Sequence, residues 1–201
     1  MASVGLILLA AGPSTRLGEP KQTLLYEGQT LLLRAVQTAL ESPCDPVLVV
    51  LGANAETIRP ELDELPVQVI LNPDWPEGMA SSIRRGITAL TEKHPDIDSA
   101  IILVCDQPFV NCALLHELVQ QKRQHGHGII ACAYKDTLGT PALFDKQFFP
   151  ELLALQGQEG AKKLLFQHAE VVTSIPFPLG TYDIDTPQDY EALQQHRLPE
   201  K

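Results

Sequence analysis

The feature that most constrains the fold is a regular alternation of short apolar runs with longer amphipathic segments. Alternating strands and helices favour a parallel sheet, because each strand–helix–strand crossover returns the chain to the same edge. The main apolar runs contain no charged residue, which is typical of strands covered on both faces. We therefore predict an α/β fold with a mostly parallel, twisted sheet, with strands at 4–11, 46–51, 67–71 and 100–104 and helices at 31–42, 54–62, 111–124, 149–155 and 160–168.

The later part of the chain predicts an addition to this sheet. Residues 129–133 and 140–144 are expected to form a small antiparallel hairpin at the sheet edge, followed by a strand at 171–175. Thr186 followed by Pro187 has the residue types that begin a helix. The 201 residues contain no repeat, low-complexity tract or linker, which suits one domain with a full core. We predict a single domain over residues 1–201.

The first apolar run breaks abruptly into a loop that contains Gly12, Arg16, Gly18 and Lys21. Glycines allow the backbone to approach an anion closely, successive N–H groups can point inward, and the two cations add positive charge. The loop matches neither the Walker pattern nor the G-x-G-x-x-G dinucleotide pattern, which place their glycines and lysine at other spacings. The loop therefore has the parts of a phosphate-binding site in an order that differs from both standard patterns.

Acidic residues occur at two further points of interest. Asp106 follows the run at 100–104, and Asp183 and Asp185 flank Ile184 near the last helix. Ligands of open parallel sheets bind beyond the carboxyl ends of the strands, so Asp106 is expected beside the loop after the first strand. Alternation places Asp183 and Asp185 on one side of an extended segment, with Ile184 packed inward. These carboxylates either serve turns or bind Mg²⁺, a hard cation that proteins often hold with one or two carboxylates.

The segment 72–82 contains the only tryptophan of the chain, Trp75, and ends in Ser81 and Ser82. Its prolines predict a turn with a packed aromatic side chain, followed by a helix to about residue 92 that Ser81 or Ser82 caps. A packed loop with a helix cap explains these residues without a ligand. The segment is also expected at the same sheet edge as the other loops, where ligands of open parallel sheets bind.

Composition argues against several function classes. The formal net charge of −10 disfavours nucleic acid or an anionic membrane as a partner. No apolar run approaches the ~18 residues of a membrane span. The four cysteines lack zinc-ligand spacing, and Cys105 and Cys132 lie inside apolar runs, as expected for buried thiols in a reducing compartment. His125 and His127 are interpreted as part of a solvated turn. We expect a cytoplasmic protein.

Three motifs in this chain resemble one family when they are taken together. A-A-G-x-S-x-R-x-G-x-x-K follows the first strand, N-x-x-W-x-x-G-M-x-S-S spans 72–82, and D-x-D-T-P precedes the last helix. The combination resembles the nucleotidyltransferases related to molybdenum cofactor guanylyl- and cytidylyltransferases, and Ala10-Ala11-Gly12 resembles the cytidylyl branch. The resemblance covers nearly the whole chain and implies a Rossmann-like fold of the nucleotide-diphospho-sugar transferase type.

The resemblance also implies an activity and roles for individual residues. The implied activity is Mg²⁺-dependent transfer of CMP from CTP, or of another NTP's nucleotide, to molybdopterin with release of pyrophosphate; Mn²⁺ is the alternative metal. A molybdoenzyme or its maturation chaperone is the implied protein partner. Arg16, Lys21 and Asp106 are then catalytic, and Asp106 and Asp185 are the metal ligands. The implied nucleotide-binding residues are Ala10, Ala11, Gly12, Arg16, Gly18, Lys21, Gly78, Ser81 and Ser82.

The chain departs from the family pattern at two places in its second half, where the acceptor is expected to bind. Thr140 stands where relatives commonly have histidine, and Gln158 and Lys162 stand where they tend to have aspartate and arginine. Three alternatives therefore stay open beside transfer to molybdopterin. They are transfer to another phosphorylated acceptor such as a sugar or polyol phosphate, an NAD(P)H-dependent oxidoreductase on the same scaffold, and a non-catalytic carrier of nucleotide or cofactor.

Overall fold

The computed structural model describes residues 3–126 and 128–195. His127, which the sequence places in a solvated turn, lies outside the described residues. Within them the chain alternates between strands and helices, as its apolar pattern predicts. The strands are β1 (Val4–Ala10), β2 (Leu25–Tyr26), β3 (Gln29–Thr30), β4 (Val47–Leu51), β5 (Gln68–Leu71), β6 (Ser99–Val104), β7 (Ile129–Tyr134), β8 (Thr137–Asp145) and β9 (Val172–Pro176).

The helices begin at the residue types that favour helix starts. Thr30 and Asn111 accept hydrogen bonds from backbone N–H groups at the starts of α1 and α4, and Thr186 forms a capping box with Asp189 at α7. These three predicted starts are confirmed. The helices are α1 (Leu31–Leu40), α2 (Ala55–Ile58), α3 (Met79–Lys93), α4 (Cys112–His125), α5 (Phe149–Leu153), α6 (Lys162–Gln167) and α7 (Pro187–Gln194). None of the helices in the described part of the chain is long and apolar enough to cross a membrane.

Two helices differ from their predicted form for local reasons. The segment 54–62 is an α-helix only to Ile58 and continues as a 3₁₀-helix over Arg59–Leu62. Pro60 has no backbone N–H group to donate, so it cannot extend the hydrogen bonding of α2. Helix α3 begins at Met79 with Gly78 in the N-cap position. The prediction that Ser81 or Ser82 caps this helix is therefore wrong, because both serines lie within its first turn.

Over residues 3–126 and 128–195, the main sheet has seven strands in the order β5-β4-β1-β6-β8-β7-β9, and β2 and β3 form a separate two-stranded sheet. β5, β4, β1 and β6 run parallel, which confirms the predicted α/β fold with a mostly parallel sheet. The predicted hairpin is present as β7 and β8, but its expected place at the edge is wrong. β8 inserts between β6 and β7, antiparallel to both, and β9 pairs with β7 to form the edge.

β1 is buried along its whole length, because helices cover both faces of the sheet. Leu6 and Leu8 belong to the core on one face, which α1, α2 and α4 cover. Ile7 and Leu9 belong to the core on the other face, which α3, α5 and α6 cover. Burying alternate side chains of one strand in two cores fixes its register, since a shift by one residue would exchange the two sets.

A third, smaller apolar cluster joins the loop after β1 to the C-terminal segment. It is formed by side chains from both regions, namely Leu17, Leu24, Tyr26, Leu31, Ile184 and Leu193. Burial of apolar area drives this contact. As a result, residues near the N-terminus and residues beyond position 180 lie against each other at the carboxyl end of β1.

Candidate functional site

The loop after β1 is held in shape by a glutamine. Gln22 is 1% exposed, and its Nε2 donates to the carbonyl oxygens of Ala10 at 2.8 Å and Gly12 at 3.2 Å. The backbone N–H of Lys21 donates to Ser14 Oγ at 3.0 Å. At Gly12 no atom lies within 4 Å of the position that a Cβ would occupy. The Gln22 side chain therefore fixes the loop, while the space beside the Gly12 Cα stays free, so that a ligand can approach the backbone there.

Lys21 joins the two acidic segments that the sequence singled out. Its Nζ donates to Asp106 Oδ2 at 2.8 Å and to Asp185 Oδ1 at 2.7 Å. Arg16 donates from a guanidinium nitrogen to Asp185 Oδ2 at 2.8 Å, although its side chain is 68% exposed. Parallel pairing of β1 and β6 sets Leu9 beside Val104, so the Lys21 and Asp106 loops leave the sheet at the same edge. Topology thus predicted this convergence correctly.

The electrostatics of Lys21 and Asp185 follow from their pairing. Burial lowers the pKa of Lys21, but the charge of Asp106 and hydrogen bonds to Asp106 and Asp185 outweigh burial and raise the pKa above its ordinary value. Burial raises the pKa of Asp185, and the hydrogen bond and charge of Lys21, with those of Arg16, reverse this and lower it. Both groups are therefore charged at neutral pH.

Asp183 has a different environment. Ile184 is buried and its N–H donates to the Asp106 carbonyl oxygen at 3.0 Å, which fixes the segment beside the β6 loop. Partial burial of the carboxyl group, followed by the charges of Asp106 and Asp185, raises the pKa of Asp183 to about 6. The residue keeps much of its surface exposed, so it is not a closed interior acid. Asp183 adds a third carboxyl group to this edge, and the charges of Lys21 and Lys135 only partly offset the rise in its pKa.

The segment 72–82 lines the same cavity as the loop after β1 and forms its Trp75 wall. Gly78 has φ 127°, a backbone conformation that essentially only glycine adopts. Buried Asn72 donates from Nδ2 to Ser81 Oγ at 2.9 Å and to Ser82 Oγ at 3.0 Å, and Ser81 Oγ donates to the Gly78 carbonyl oxygen at 2.8 Å. The Ser81 hydroxyl group therefore forms its hydrogen bonds within the protein, where it holds the segment 72–78 to the start of α3.

A cavity of about 390 Å³ lies between these walls. Seven of the predicted site residues line it: Ala10, Ala11, Gly12, Lys21, Gly78, Ser82 and Asp106. Four other predicted residues do not line it. Asp185 is bonded to Lys21 and Arg16 is bonded to Asp185. Gly18 lies farther along the loop, and Ser81 is bonded to the Gly78 carbonyl oxygen.

Ten further residues that line this cavity were not assigned to the site from the sequence, among them Gln22, Trp75 and Gln158. Trp75 is the only tryptophan of the chain and lies in a loop at the ligand-binding edge of the sheet, and these two facts could have indicated it. The burial of Gln22 depends on the loop carbonyl groups folding over it, which residue type does not reveal. Gln158 comes from a distant loop, and it was expected on the acceptor side.

The other two residues that depart from the family pattern lie elsewhere. Thr140 Oγ1 donates to Gln107 Oε1 at 3.1 Å, and Gln107 Nε2 donates to the Gly180 carbonyl oxygen at 3.1 Å. Lys162 begins α6 and places its Nζ 5.7 Å from the ring centroid of Phe166. Only Gln158, of these three departures, lines the cavity between Gly12 and Gly78.

The donor set fits a hard divalent cation supplied with a phosphate ligand. Asp106 and Asp185 both direct an oxygen to the same point, the Lys21 ammonium. Proteins commonly bind Mg²⁺ through one or two carboxylates, with water and substrate phosphates as the remaining ligands. Among the described residues no group of three or more His, Cys, Asp or Glu side chains is arranged to hold a metal by itself. Asp106 and Asp185 match the protein ligands of such a site in number and type.

Comparison with known proteins identifies a matching family model and several related proteins. Residues 6–171 match the family model described as the MobA-like NTP transferase domain. The chain is 31% identical over 199 residues to nicotine blue oxidoreductase of Paenarthrobacter nicotinovorans, covering 94% of this chain and 92% of the relative. It is 22% identical over 191 residues to molybdenum cofactor cytidylyltransferase of Escherichia coli (strain K12), covering 94% and 95%.

A solved structure agrees with these similarities. The Rv0371c protein of Mycobacterium tuberculosis H37Rv superimposes with a TM-score of 0.83 at 30% identity, covering 97% of this chain and 99% of the other. A complex of Rv0371c with manganese superimposes with a TM-score of 0.80 at 28% identity, covering 96% and 99%. The family match extends over most of the chain and includes the first loop and Asp106. This chain therefore belongs to the family of MobA-like NTP transferase domains.

Proposed function

We propose that the protein is a metal-dependent nucleotidyltransferase that transfers CMP from CTP to molybdopterin and releases pyrophosphate. The observation that carries the proposal is the ammonium group of Lys21, held by Asp106 in a cavity that is also lined by the backbone of Gly12 and by Trp75. A triphosphate needs cations and N–H groups, and a base needs a flat, uncharged surface. The cavity volume of about 390 Å³ is within the range of small-molecule sites.

The choice of CTP and molybdopterin rests on similarity rather than on geometry. The Ala10-Ala11-Gly12 form resembles the cytidylyl branch, and the E. coli relative is a molybdenum cofactor cytidylyltransferase. A phosphate on the acceptor is largely ionised at neutral pH and needs no general base. Its oxygen forms a bond to the α-phosphorus while the bond to the β-phosphate oxygen breaks, and pyrophosphate leaves with the electron pair of that bond.

The residues of this chain would act by positioning and by charge stabilisation. Lys21 keeps its proton at neutral pH because its pKa is raised, so it can neutralise negative charge that develops on the transferred phosphate. Arg16 is exposed enough to turn from Asp185 towards a phosphate. The backbone around Gly12 would donate N–H groups to the remaining phosphate oxygens.

Asp106 and Asp185 would hold the divalent metal, Mg²⁺ or Mn²⁺. When bound, the metal neutralises phosphate charge and polarises the reacting phosphorus–oxygen bonds. The manganese complex of the related Rv0371c protein supports a divalent metal in this family. The convergence of the two carboxylates on one cationic group supports these residues as its ligands.

The test is pyrophosphate release from CTP, GTP, ATP and UTP, each with Mg²⁺ and molybdopterin. We expect release from CTP that requires both the metal and the pterin. Release only with another phosphorylated acceptor, such as a sugar phosphate, would retain the transferase and change its acceptor. Tight CTP binding with no release under any acceptor would contradict catalysis and favour a carrier.

An oxidoreductase is the second candidate, because the relative with 31% identity is a nicotine blue oxidoreductase. Such an activity would require binding of a reduced nicotinamide cofactor by this chain. Titration with NADPH, followed by its fluorescence, distinguishes the two candidates. Saturable NADPH binding that Mg²⁺-CTP does not displace, together with consumption of NADPH, would favour the oxidoreductase.

A further inference from the structure

The side chains that line the cavity are of two chemical kinds. Lys21 and Asp106 are its charged side chains, and the backbone of Gly12 lies in the same lining. Trp75, Pro76 and Met79 are uncharged lining residues that follow one another closely in the chain. A nucleotide likewise combines an anionic phosphate chain with a flat, uncharged base. The uncharged part of the lining is therefore where a base would be recognised.

One polar side chain from the loop after α5 joins the uncharged part of the lining. Gln158 lines the cavity, and its Cδ lies 2.8 Å from the position that a Cβ on Gly78 would occupy. Only glycine at position 78 leaves space for the Gln158 amide here. Within residues 3–126 and 128–195 that amide makes no hydrogen bond. Its oxygen and nitrogen remain available to a ligand.

The backbone beside Gln158 is held firmly although its amide is free. Glu77 Oε1 accepts from the Gly157 N–H at 3.1 Å, and the Ala80 N–H donates to the Gly157 carbonyl oxygen at 3.2 Å. Arg84 donates to Glu77 Oε1 at 2.8 Å and to the Leu155 carbonyl oxygen at 2.7 Å. These bonds tie the loop that contains Gln158 to the Trp75 wall.

We propose that Gln158 determines which base the cavity accepts, through hydrogen bonds from its amide to the polar edge of the base, and that Glu77 positions it. An amide offers a donor and an acceptor side by side, which matches the edge of a base and not a phosphate, which only accepts. This inference rests on the proposed nucleotidyltransferase. It adds a specificity residue from a part of the chain that was expected to contact the acceptor.

Binding measurements with the whole protein test the inference. Kd values for Mg²⁺ complexes of CTP, GTP, ATP and UTP, and for tripolyphosphate, are measured by calorimetry or by quenching of Trp75, the only tryptophan. Gln158→Met keeps the length of the side chain and removes its hydrogen bonds. We expect the preference for one base to fall about tenfold, the scale of discrimination by an amide–base pair. The Kd for tripolyphosphate should stay unchanged.

Gln156→Met is the matched control, because Gln156 is exposed on the same loop and does not line the cavity. It should keep the wild-type base preference. Glu77→Gln should reduce base preference in the same direction as Gln158→Met, and the double variant should lose no more than Gln158→Met alone. A purely structural role for Glu77 would instead weaken tripolyphosphate binding as well.

Two outcomes would overturn the inference, and both differ from failure of the proposed function. The first is an unchanged ratio of Kd values for the four nucleotides in Gln158→Met. The second is equal binding of all four nucleotides by the wild-type protein. The proposed function fails separately, when the wild-type protein binds nucleotides selectively but releases no pyrophosphate with any acceptor.

Discussion

Lys21 and Asp185 are separated by 164 positions in the chain, and their side chains meet at 2.7 Å. The lysine proposed to bind phosphate is thus bound to a carboxylate proposed to bind metal. In the proposed complex, a phosphate would replace Asp185 as the partner of Lys21, and the metal would replace Lys21 as the partner of Asp185. Both charges are thus already compensated before the metal–nucleotide complex binds.

The first prediction concerns turnover. Lys21→Met removes the ammonium group and keeps most of the side-chain volume, so kcat for pyrophosphate release should fall roughly 10²–10³-fold, the scale of one lost preorganised transition-state donor. Lys163→Met is the control, since Lys163 pairs with Glu159 on the exposed surface. Equal turnover in Lys21→Met and wild-type protein would remove Lys21 from the mechanism.

The second prediction concerns metal binding without nucleotide, measured by electron paramagnetic resonance of Mn²⁺. Lys21→Met frees Asp106 and Asp185 from a competing cation and should tighten Mn²⁺ binding about tenfold, the scale of a charged hydrogen bond. Asp106→Asn removes a ligand charge and should weaken it. Changes in the same direction in both variants would contradict competition between lysine and metal. Asp63→Asn, on an exposed segment, should leave the affinity unchanged.

The third prediction contrasts two glycines. A Cβ at Gly78 would lie 2.4 Å from the Gly157 carbonyl oxygen, and its φ is 127°. Gly78→Ala should therefore lower the free energy of unfolding by about 1–3 kcal/mol. Gly12→Ala meets no atom within 4 Å and should leave stability nearly unchanged while weakening tripolyphosphate binding. Urea unfolding and calorimetry measure the two effects, and equal stability of the two variants would refute the close contact.

The fourth prediction concerns pH. Burial, with the charges of Asp106 and Asp185, raises the pKa of Asp183 from 3.8 to about 6. The unfolded chain ionises this group at lower pH than the folded protein does, so Asp183 costs stability as pH rises through that interval. Asp183→Asn should gain stability over the wild-type protein between about pH 4 and pH 6 and hold that gain at pH 7. Solvent screening reduces its size. A pH-independent difference in urea unfolding would contradict the raised pKa.

The sheet was largely predictable because its information is local. Uncharged apolar runs give buried strands, and the alternation with helices gives parallel pairing. The insertion of β8 between β6 and β7 was not predictable from periodicity. Apolar alternation shows that a segment is a strand and which residues share a face, but the order of strands depends on which edges meet during folding.

The charged part of the candidate site was predictable for a related reason. Lys21 and Asp106 follow neighbouring parallel strands, so topology alone places them together. Gln158 was not predictable, because its position depends on the contact between Gly157 and Gly78. That contact requires a positive φ at Gly78 and the hydrogen bond from the Gly157 N–H to Glu77. The pattern of apolar and polar residues predicts neither of them.

The apolar cluster that joins Leu17 and Leu24 to Ile184 and Leu193 has a consequence for biosynthesis. The chain leaves the ribosome N-terminus first, so Lys21 and Asp106 are made long before Asp185. The arrangement of one lysine between two carboxylates can form only when the C-terminal segment docks against the first loop. A chain that stops between residues 158 and 185 contains every described residue that lines the cavity, but it lacks the second carboxylate that holds Lys21.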